Sequence, residues 1–160
     1  MASMGQRVPV RDGLFVDAEV PRLLVSQCVS CGKVHFPRSE TCPYCAGEGT
    51  EPKELTGPGV LWAHTSITAA PPGYLGEVPY GVGVVEFDEG IRIISRLSES
   101  DPFALREGQM MELVVVPLHT DDDGNDVVTY AFAAVKDTGD FGDTGDASDT
   151  GDVKNMTEQL

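Results

Sequence analysis

The chain has 160 residues, of which 41% are hydrophobic, and this composition indicates one globular domain with room for a small appended module. Its net charge of −15 argues against generic binding to nucleic acid, which depends on clustered Lys and Arg. No apolar run reaches the roughly 20 residues that a membrane span needs, and the N-terminus lacks the apolar core of a secretory signal. We therefore expect a cytoplasmic protein that binds neither nucleic acid nor a membrane.

Residues 1–21 lack clear hydrophobic periodicity and are predicted to form an N-terminal arm. All four cysteines of the chain follow in two CxxC pairs. In a reducing cytosol paired CxxC motifs bind metal more often than they form disulfides, and a redox site needs only one CxxC beside a βαβ unit. Four thiolates make a closed tetrahedral set for Zn²⁺. We predict one structural zinc ion per chain, with iron on the same sulfurs as the alternative; the ligands are Cys28, Cys31, Cys42 and Cys45.

These cysteines define a zinc ribbon over residues 22–50. Residues 22–28 and 33–38 are predicted to be the strands that enter and leave the first CxxC turn. Gly32 follows that turn directly, where a positive φ is often required. His35 lies between the two pairs and is predicted to be a surface residue, because four sulfurs already fill the metal's coordination shell. Residues 46–59, rich in Gly, Pro and Glu, are predicted to be a linker.

An OB-fold barrel is predicted over residues 51–136, so that the chain is mainly β. Alternating apolar residues and short turns indicate five strands, and a single helical turn within residues 100–108 is expected before the fourth of them. The five strands are expected at residues 59–70, within the hairpin at 80–99, and at 107–118 and 127–135. Val82 and Val84 repeat at period two in that hairpin. Residues 137–160, with an Asp at every third position from Asp137 to Asp152, are predicted to be a disordered acidic tail.

Four stretches, taken in order, resemble one known family. They are CVSCGKVHFPRSETCPYC, TGPGVLWAHTSI, PPGYLGEVPYGVGVVEFDEGIRIISRL and LREGQMMELVV, within residues 22–135. The family joins an N-terminal rubredoxin-like zinc ribbon to a C-terminal OB-fold and accompanies acyl-CoA enzymes. The resemblance implies a partner that is a thiolase-like enzyme, in settings that include thiolytic or aldolytic cleavage of acyl-CoA chains, steroid side-chain breakdown and related condensations. The helical N-terminal segment that many members carry is short here.

The chain offers no self-sufficient active site, so we assign it no catalytic residues. It has no cysteine outside the ribbon, and a thiolase-type nucleophile is therefore absent. His64 could face a substrate, but a packed or hydrogen-bonded strand histidine is the alternative that we favour. We expect a required, non-catalytic subunit of a hetero-oligomer that shares its acyl-CoA substrate with the enzyme partner. Retro-aldol or thiolytic cleavage of a bulky, steroid-like acyl-CoA is the expected reaction.

Two groups of residues are candidates for contact with the partner or the substrate. The loop at residues 71–80 is rich in proline and aromatic groups, as interface anchors often are, although it could instead fold over the barrel. Arg92 and Arg96 lie four apart on one predicted strand and share a face, but they could instead pair with Glu86 or Glu99. The loop residues singled out are Tyr74, Leu75, Val78 and Tyr80. A stand-alone acyl-CoA-binding protein and a nucleic-acid-binding OB module are the alternative functions.

Overall fold

The computed structural model describes residues 5–136, and all of its regular secondary structure is β. The ten strands are β1 (Arg7–Pro9), β2 (Phe15–Val16), β3 (Arg22–Cys28), β4 (Val34–His35), β5 (Thr50–Leu55), β6 (Gly59–Ile67), β7 (Tyr80–Glu86), β8 (Arg92–Leu97), β9 (Met110–Thr120) and β10 (Asp126–Ala134). The mainly β prediction is confirmed. Across residues 5–136 no helix is long and apolar enough to cross a membrane. The tail predicted at 137–160 lies outside the described residues.

The ribbon is a small antiparallel sheet built around β3. On one side β3 pairs with β5 along its whole length, and on the other side it pairs with β2 at its start and β4 at its end. β5 lies inside the segment that the sequence predicted to be a linker, so that prediction is wrong. Pro52 cannot donate a ladder hydrogen bond, but β5 has β3 as its one partner and an edge strand tolerates proline. Leu55 is the buried residue of β5.

The predicted N-terminal arm contributes short strands to both sheets. β1 pairs in parallel with the start of β10, so that Val8 lies beside Val127. β2 pairs with β3, and the side chain of Phe15 is buried. Residues 7–16 therefore connect the ribbon to the barrel through backbone hydrogen bonds on both sides.

The barrel closes through five strands in the order β6–β7–β8–β10–β9, with β9 pairing back to β6. All neighbours are antiparallel except β8 and β10, which run parallel. A closed five-stranded barrel whose third and fifth strands are parallel neighbours is the OB-fold that the sequence predicted. The segment at 100–108 forms turns rather than the expected helical turn. Asp101 accepts the Phe103 N–H through its side chain and the Ala104 N–H through its carbonyl, and a separate turn follows, in which the Gln109 N–H donates to the Arg106 carbonyl.

Two glycines of β7 occupy positions that face the inside of the barrel, where other residues pack closely against them. Gly81 and Gly83 are buried, and a β-carbon on Gly81 would lie 2.0 Å from the Glu99 carbonyl oxygen. Val85 continues this inward row, so Val82 and Val84, whose period the sequence showed, point outward and are half-buried. The inward row therefore reads Gly-x-Gly-x-Val, because Glu99 lies against Gly81 and the Leu97 side chain lies against both glycines.

The ribbon and the barrel share one apolar core. Tyr130 of β10 meets Phe15 and Phe36 of the ribbon, with ring centroids 6.0 and 5.4 Å away, the second pair edge to face. Such pairs contribute about 0.5–1.5 kcal/mol each beyond the area that they bury. Burial raises the pKa of Tyr130 above its ordinary value. The metal centre is thus fixed to the barrel by packing as well as by β1.

Candidate metal centre and partner surface

Both CxxC turns have the same backbone. The N–H of Gly32 donates to the Cys28 carbonyl and the N–H of Ala46 donates to the Cys42 carbonyl, each at 2.9 Å. The residue after each turn is left-handed, with φ of 72° at Gly32, as expected from the sequence, and 55° at Ala46. A residue with a β-carbon at such a φ is strained, so the second turn stores a small strain that the first avoids.

The four cysteine sulfurs form a compact cluster. Cys28 Sγ lies 3.7 Å from Cys45 Sγ, Cys31 Sγ lies 3.7 Å from Cys42 Sγ, and all four lie within 4.8 Å of one another. Four sulfurs at about 2.3 Å from a tetrahedral zinc ion are about 3.8 Å apart, whereas a disulfide needs about 2.0 Å. The cluster therefore fits one metal ion. All four coordination positions are taken by protein, which leaves none for a reacting water.

The electrostatics of the cluster also favour a bound cation. The backbone N–H of Cys31 lowers the pKa of Cys28 to about 6 and so stabilises one thiolate. The N–H of Gly47 lowers the pKa of Cys45, but hydrogen bonds with the thiols of Cys28 and Cys31 outweigh it and raise that pKa to about 11. The sulfurs thus compete for negative charge, and a divalent cation is what allows all four to be thiolates together.

Two ribbon residues have structural roles that the sequence did not reveal. His35 is 2% exposed, so the prediction that it lies on the surface is wrong. It pairs with β3, which turns its ring inward, and its Nδ1 donates to the Pro37 carbonyl at 3.3 Å. Arg38 donates to the carbonyls of Val25, at 3.0 Å, and Lys53, at 3.2 Å. Its guanidinium therefore holds β3 against β5.

The loop at 71–80 divides its candidate residues between two environments. The rings of Tyr74 and Tyr80 stack with centroids 4.8 Å apart. Arg96 lies over the Tyr80 ring at 5.2 Å and donates to the Tyr74 hydroxyl. Leu75 is 71% exposed and Val78 is also exposed. The two tyrosines are thus anchored to the barrel, while the two aliphatic residues between them face solvent.

Arg92 pairs with a nearby acidic residue, which was the alternative to contact with a partner or substrate. It pairs with Glu86, and its guanidinium lies 4.2 Å from the centroid of the Trp62 ring. Arg92, Ile94 and Arg96 share the outer face of β8. Sequence reasoning missed Trp62 and Ile94, which are exposed on that surface. The period-two rule that placed the arginines on one face also places Ile94 between them, and this was the available signal.

His64 has the structural role that the sequence analysis favoured. Its Nε2 donates to the Pro102 carbonyl at 2.9 Å, and its Nδ1 is buried without a partner. The ring thereby links β6 to the segment that follows β8, at the end of the barrel.

Two family models match consecutive parts of the chain. The rubredoxin-like zinc ribbon domain of ChsH2 matches residues 15–51, and the C-terminal OB-fold domain of ChsH2 matches residues 52–116. With the four-sulfur geometry, the ribbon match identifies the metal as one structural zinc ion per chain. A solved structure, the Ltp2-ChsH2(DUF35) aldolase, has the same fold, with a TM-score of 0.55, 24% identity, and coverage of 71% of this chain and 84% of that one.

Curated relatives agree with these matches. A DUF35 domain-containing scaffold protein of Methanocaldococcus jannaschii is 33% identical over 81% of this chain and 95% of its own length. The benzoylsuccinyl-CoA thiolase subunit BbsA of Thauera aromatica is 29% identical over 74% of this chain and 81% of its own length. By their names, the first of these relatives is a scaffold protein and the second is a subunit of a thiolase. The chain belongs to the DUF35 family, whose members join a ChsH2-type rubredoxin-like zinc ribbon to an OB-fold.

Proposed function

We propose that this chain is an accessory subunit of a thiolase-fold enzyme and that the complex cleaves a carbon–carbon bond in an acyl-CoA. The observation that carries the proposal is that all four cysteines of the chain lie in the closed metal centre. A thiolase-type nucleophile has to come from elsewhere, because a thiolate held by zinc on a fully occupied shell does not attack a substrate. The zinc ion stabilises the ribbon and takes no part in the reaction.

The residues of this chain act by binding and positioning. We assign Tyr74, Leu75, Val78 and Tyr80, with Arg92 and Arg96, to contact with the partner or the shared substrate. Arg96 is the cation best placed for an anionic group, because its contacts are two tyrosines rather than a carboxylate. Coenzyme A carries several negative charges, whereas this chain carries 26 acidic residues against 11 basic ones. The partner therefore supplies most of the phosphate contacts.

For the reaction, we propose retro-aldol or thiolytic cleavage of a bulky, steroid-like acyl-CoA. The names of two similar proteins support this class of reaction: BbsA is a thiolase subunit, and the solved structure with the same fold is an aldolase. Thiolysis and retro-aldol cleavage both break a carbon–carbon bond in the acyl chain. In either reaction an accessory subunit contributes by shaping the acyl channel and excluding water, which strengthens electrostatic contacts inside it.

The test is reconstitution with a thiolase-fold subunit from the same organism. We expect the two chains to elute as one complex on size-exclusion chromatography with light scattering. Cleavage of steroid-like acyl-CoAs should require both chains. Independent elution with unchanged enzyme activity would contradict the proposal. Tight binding of acyl-CoA by the isolated chain in a calorimeter would support the stand-alone alternative, and salt-sensitive binding of single-stranded DNA would support the nucleic-acid alternative.

A further inference from the structure

The outer surface of strands β6, β7 and β8 is apolar at its centre. Ile94 is 69% exposed, Trp62 is 52% exposed and Val60 is 37% exposed. The register places Val84 beside Ile94, and Val82 lies in the next row. We name this surface the β6–β8 face; its members are Val60, Trp62, Val82, Val84 and Ile94. Scattered apolar residues on a surface are ordinary, but a contiguous set that includes Trp indicates a contact surface.

The β6–β8 face is held rigid before any partner binds. The guanidinium of Arg92 lies over the Trp62 ring, 4.2 Å from its centroid, and also pairs with Glu86. Backbone pairing between β7 and β8 runs without a break from Gly81 to Glu86. Fixed aromatic and arginine side chains lose little conformational entropy on binding, and both residue types are enriched among the contacts that dominate binding energy.

Acidic residues border this face at both ends. The turn between β7 and β8 exposes Asp88 and Glu89 beside Glu86. At the other end lies Glu77, in the loop before β7 and beside Arg96. A second copy of the chain would bring its own acids and a net charge of −15 against these, so self-association is opposed. The surface that complements the β6–β8 face is therefore one on another protein, with an apolar centre and a border of basic residues.

We infer that the β6–β8 face is the docking surface for the thiolase-fold subunit, whose matching surface is apolar and bordered by Lys and Arg. The inference rests on the proposed function and extends it to residues that the sequence did not single out. The face is continuous with the 71–80 loop, because Arg96 pairs with Val82 in the sheet and contacts Tyr74 and Tyr80. Leu75 and Val78 extend the same contact surface at one end.

The experiment measures the affinity of the full-length, zinc-loaded chain for the thiolase-fold subunit by calorimetry. Ile94→Glu places a charge at the centre of the apolar patch and should weaken binding at least about 30-fold, as loss of a central contact does. Val20→Glu is the matched control, because Val20 is 63% exposed but lies at the other sheet, just before β3. It should stay within about twofold of wild type. Zinc content and circular dichroism check that both variants fold.

A second measurement uses no substitution. Trp62 is the single tryptophan of the chain, so labelling with 5-fluorotryptophan gives one ¹⁹F resonance from the β6–β8 face. Unlabelled partner should shift that resonance, and raising the salt concentration should weaken binding because the border contacts are ionic. An unmoved resonance in a formed complex, or wild-type affinity in Ile94→Glu, would overturn the docking surface and leave the proposed function standing.

Three further results would each contradict the proposed docking surface. If the wild-type chain binds no thiolase-fold subunit, the proposed function fails and the docking surface fails with it. If light scattering shows that the wild-type chain alone is a dimer and that Ile94→Glu makes it a monomer, the occupant is a second copy and the inference is wrong. Binding that is insensitive to salt would contradict the basic border of the partner's surface.

Discussion

Substitution of one glycine tests how the barrel is closed from within. In Gly81→Ala the new β-carbon would lie 2.0 Å from the Glu99 carbonyl oxygen and 3.0 Å from Leu97 Cβ. The first distance is more than about 1 Å short of van der Waals contact, and its partner is backbone, which cannot rotate away. Overpacking of this kind costs about 3 kcal/mol, the upper part of the usual range. For a domain of this size we expect the melting temperature to fall by about 10 °C.

The matched control is Gly57→Ala. Gly57 lies between β5 and β6, and a β-carbon there meets no atom within 4 Å. This variant should raise the free energy of unfolding by about 0.4–1 kcal/mol, because it alters only the entropy of the unfolded chain. Both variants are measured by urea unfolding followed by circular dichroism, in saturating zinc. Equal stability of Gly81→Ala and Gly57→Ala would refute the close packing of the segment after β8 on β7.

Three other predictions concern the ribbon and its attachment. Cys42→Ser, or a chelator, should release the zinc ion and unfold the ribbon, seen as loss of one zinc per chain by metal analysis; a metal-free protein with unchanged unfolding would contradict the structural role. Ala46→Gly should raise, and Gly32→Ala lower, the free energy of unfolding by about 0.5–1 kcal/mol, because both positions are left-handed; changes of one sign in both would contradict this. Tyr130→Ala should cost about 2 kcal/mol by removing the ring that packs against the ribbon, and a loss below about 0.5 kcal/mol would show that this contact is not needed.

The parts of the fold that the sequence predicted well have strong local signals. β3 was expected at residues 22–28 and occupies Arg22–Cys28, because its apolar residues and the CxxC turn that follows define both ends. The two CxxC pairs specified the metal centre completely, since ligand type and spacing are chemical requirements that do not depend on the rest of the fold. The closed barrel followed from five alternating segments with short turns.

The parts that the sequence missed are set by tertiary contacts. β5 was predicted to be a linker because its one buried residue, Leu55, leaves no alternation to detect, and pairing with β3 alone makes it a strand. The prediction of a helical turn at 100–108 was wrong because Asp101 accepts the hydrogen bonds of a single tight turn instead. Val82 and Val84 showed the period of β7 but not which face is buried, since two of its three inward positions are glycines.

Among the surface residues, too, the sequence predicted some roles, and others depend on tertiary contacts. Sequence alone suggested that the 71–80 loop either binds a partner or covers the barrel, and each description fits some of its residues. Tyr74 and Tyr80 stack on each other and contact Arg96, whereas Leu75 stays exposed. Trp62 is meaningful only when Arg92 and Ile94 are seen beside it, and that neighbourhood depends on the pairing of three strands.

Turnover of a steroid-like acyl-CoA by this chain alone, by a thiolase-fold subunit alone and by the two together is the most direct test. The zinc-loaded chain should give no product, because each of its thiols is a metal ligand, and the mixture should exceed the subunit alone by at least about tenfold, a change of about 1.4 kcal/mol in the barrier. Product formed by the purified chain with no other protein present would contradict the account at its centre.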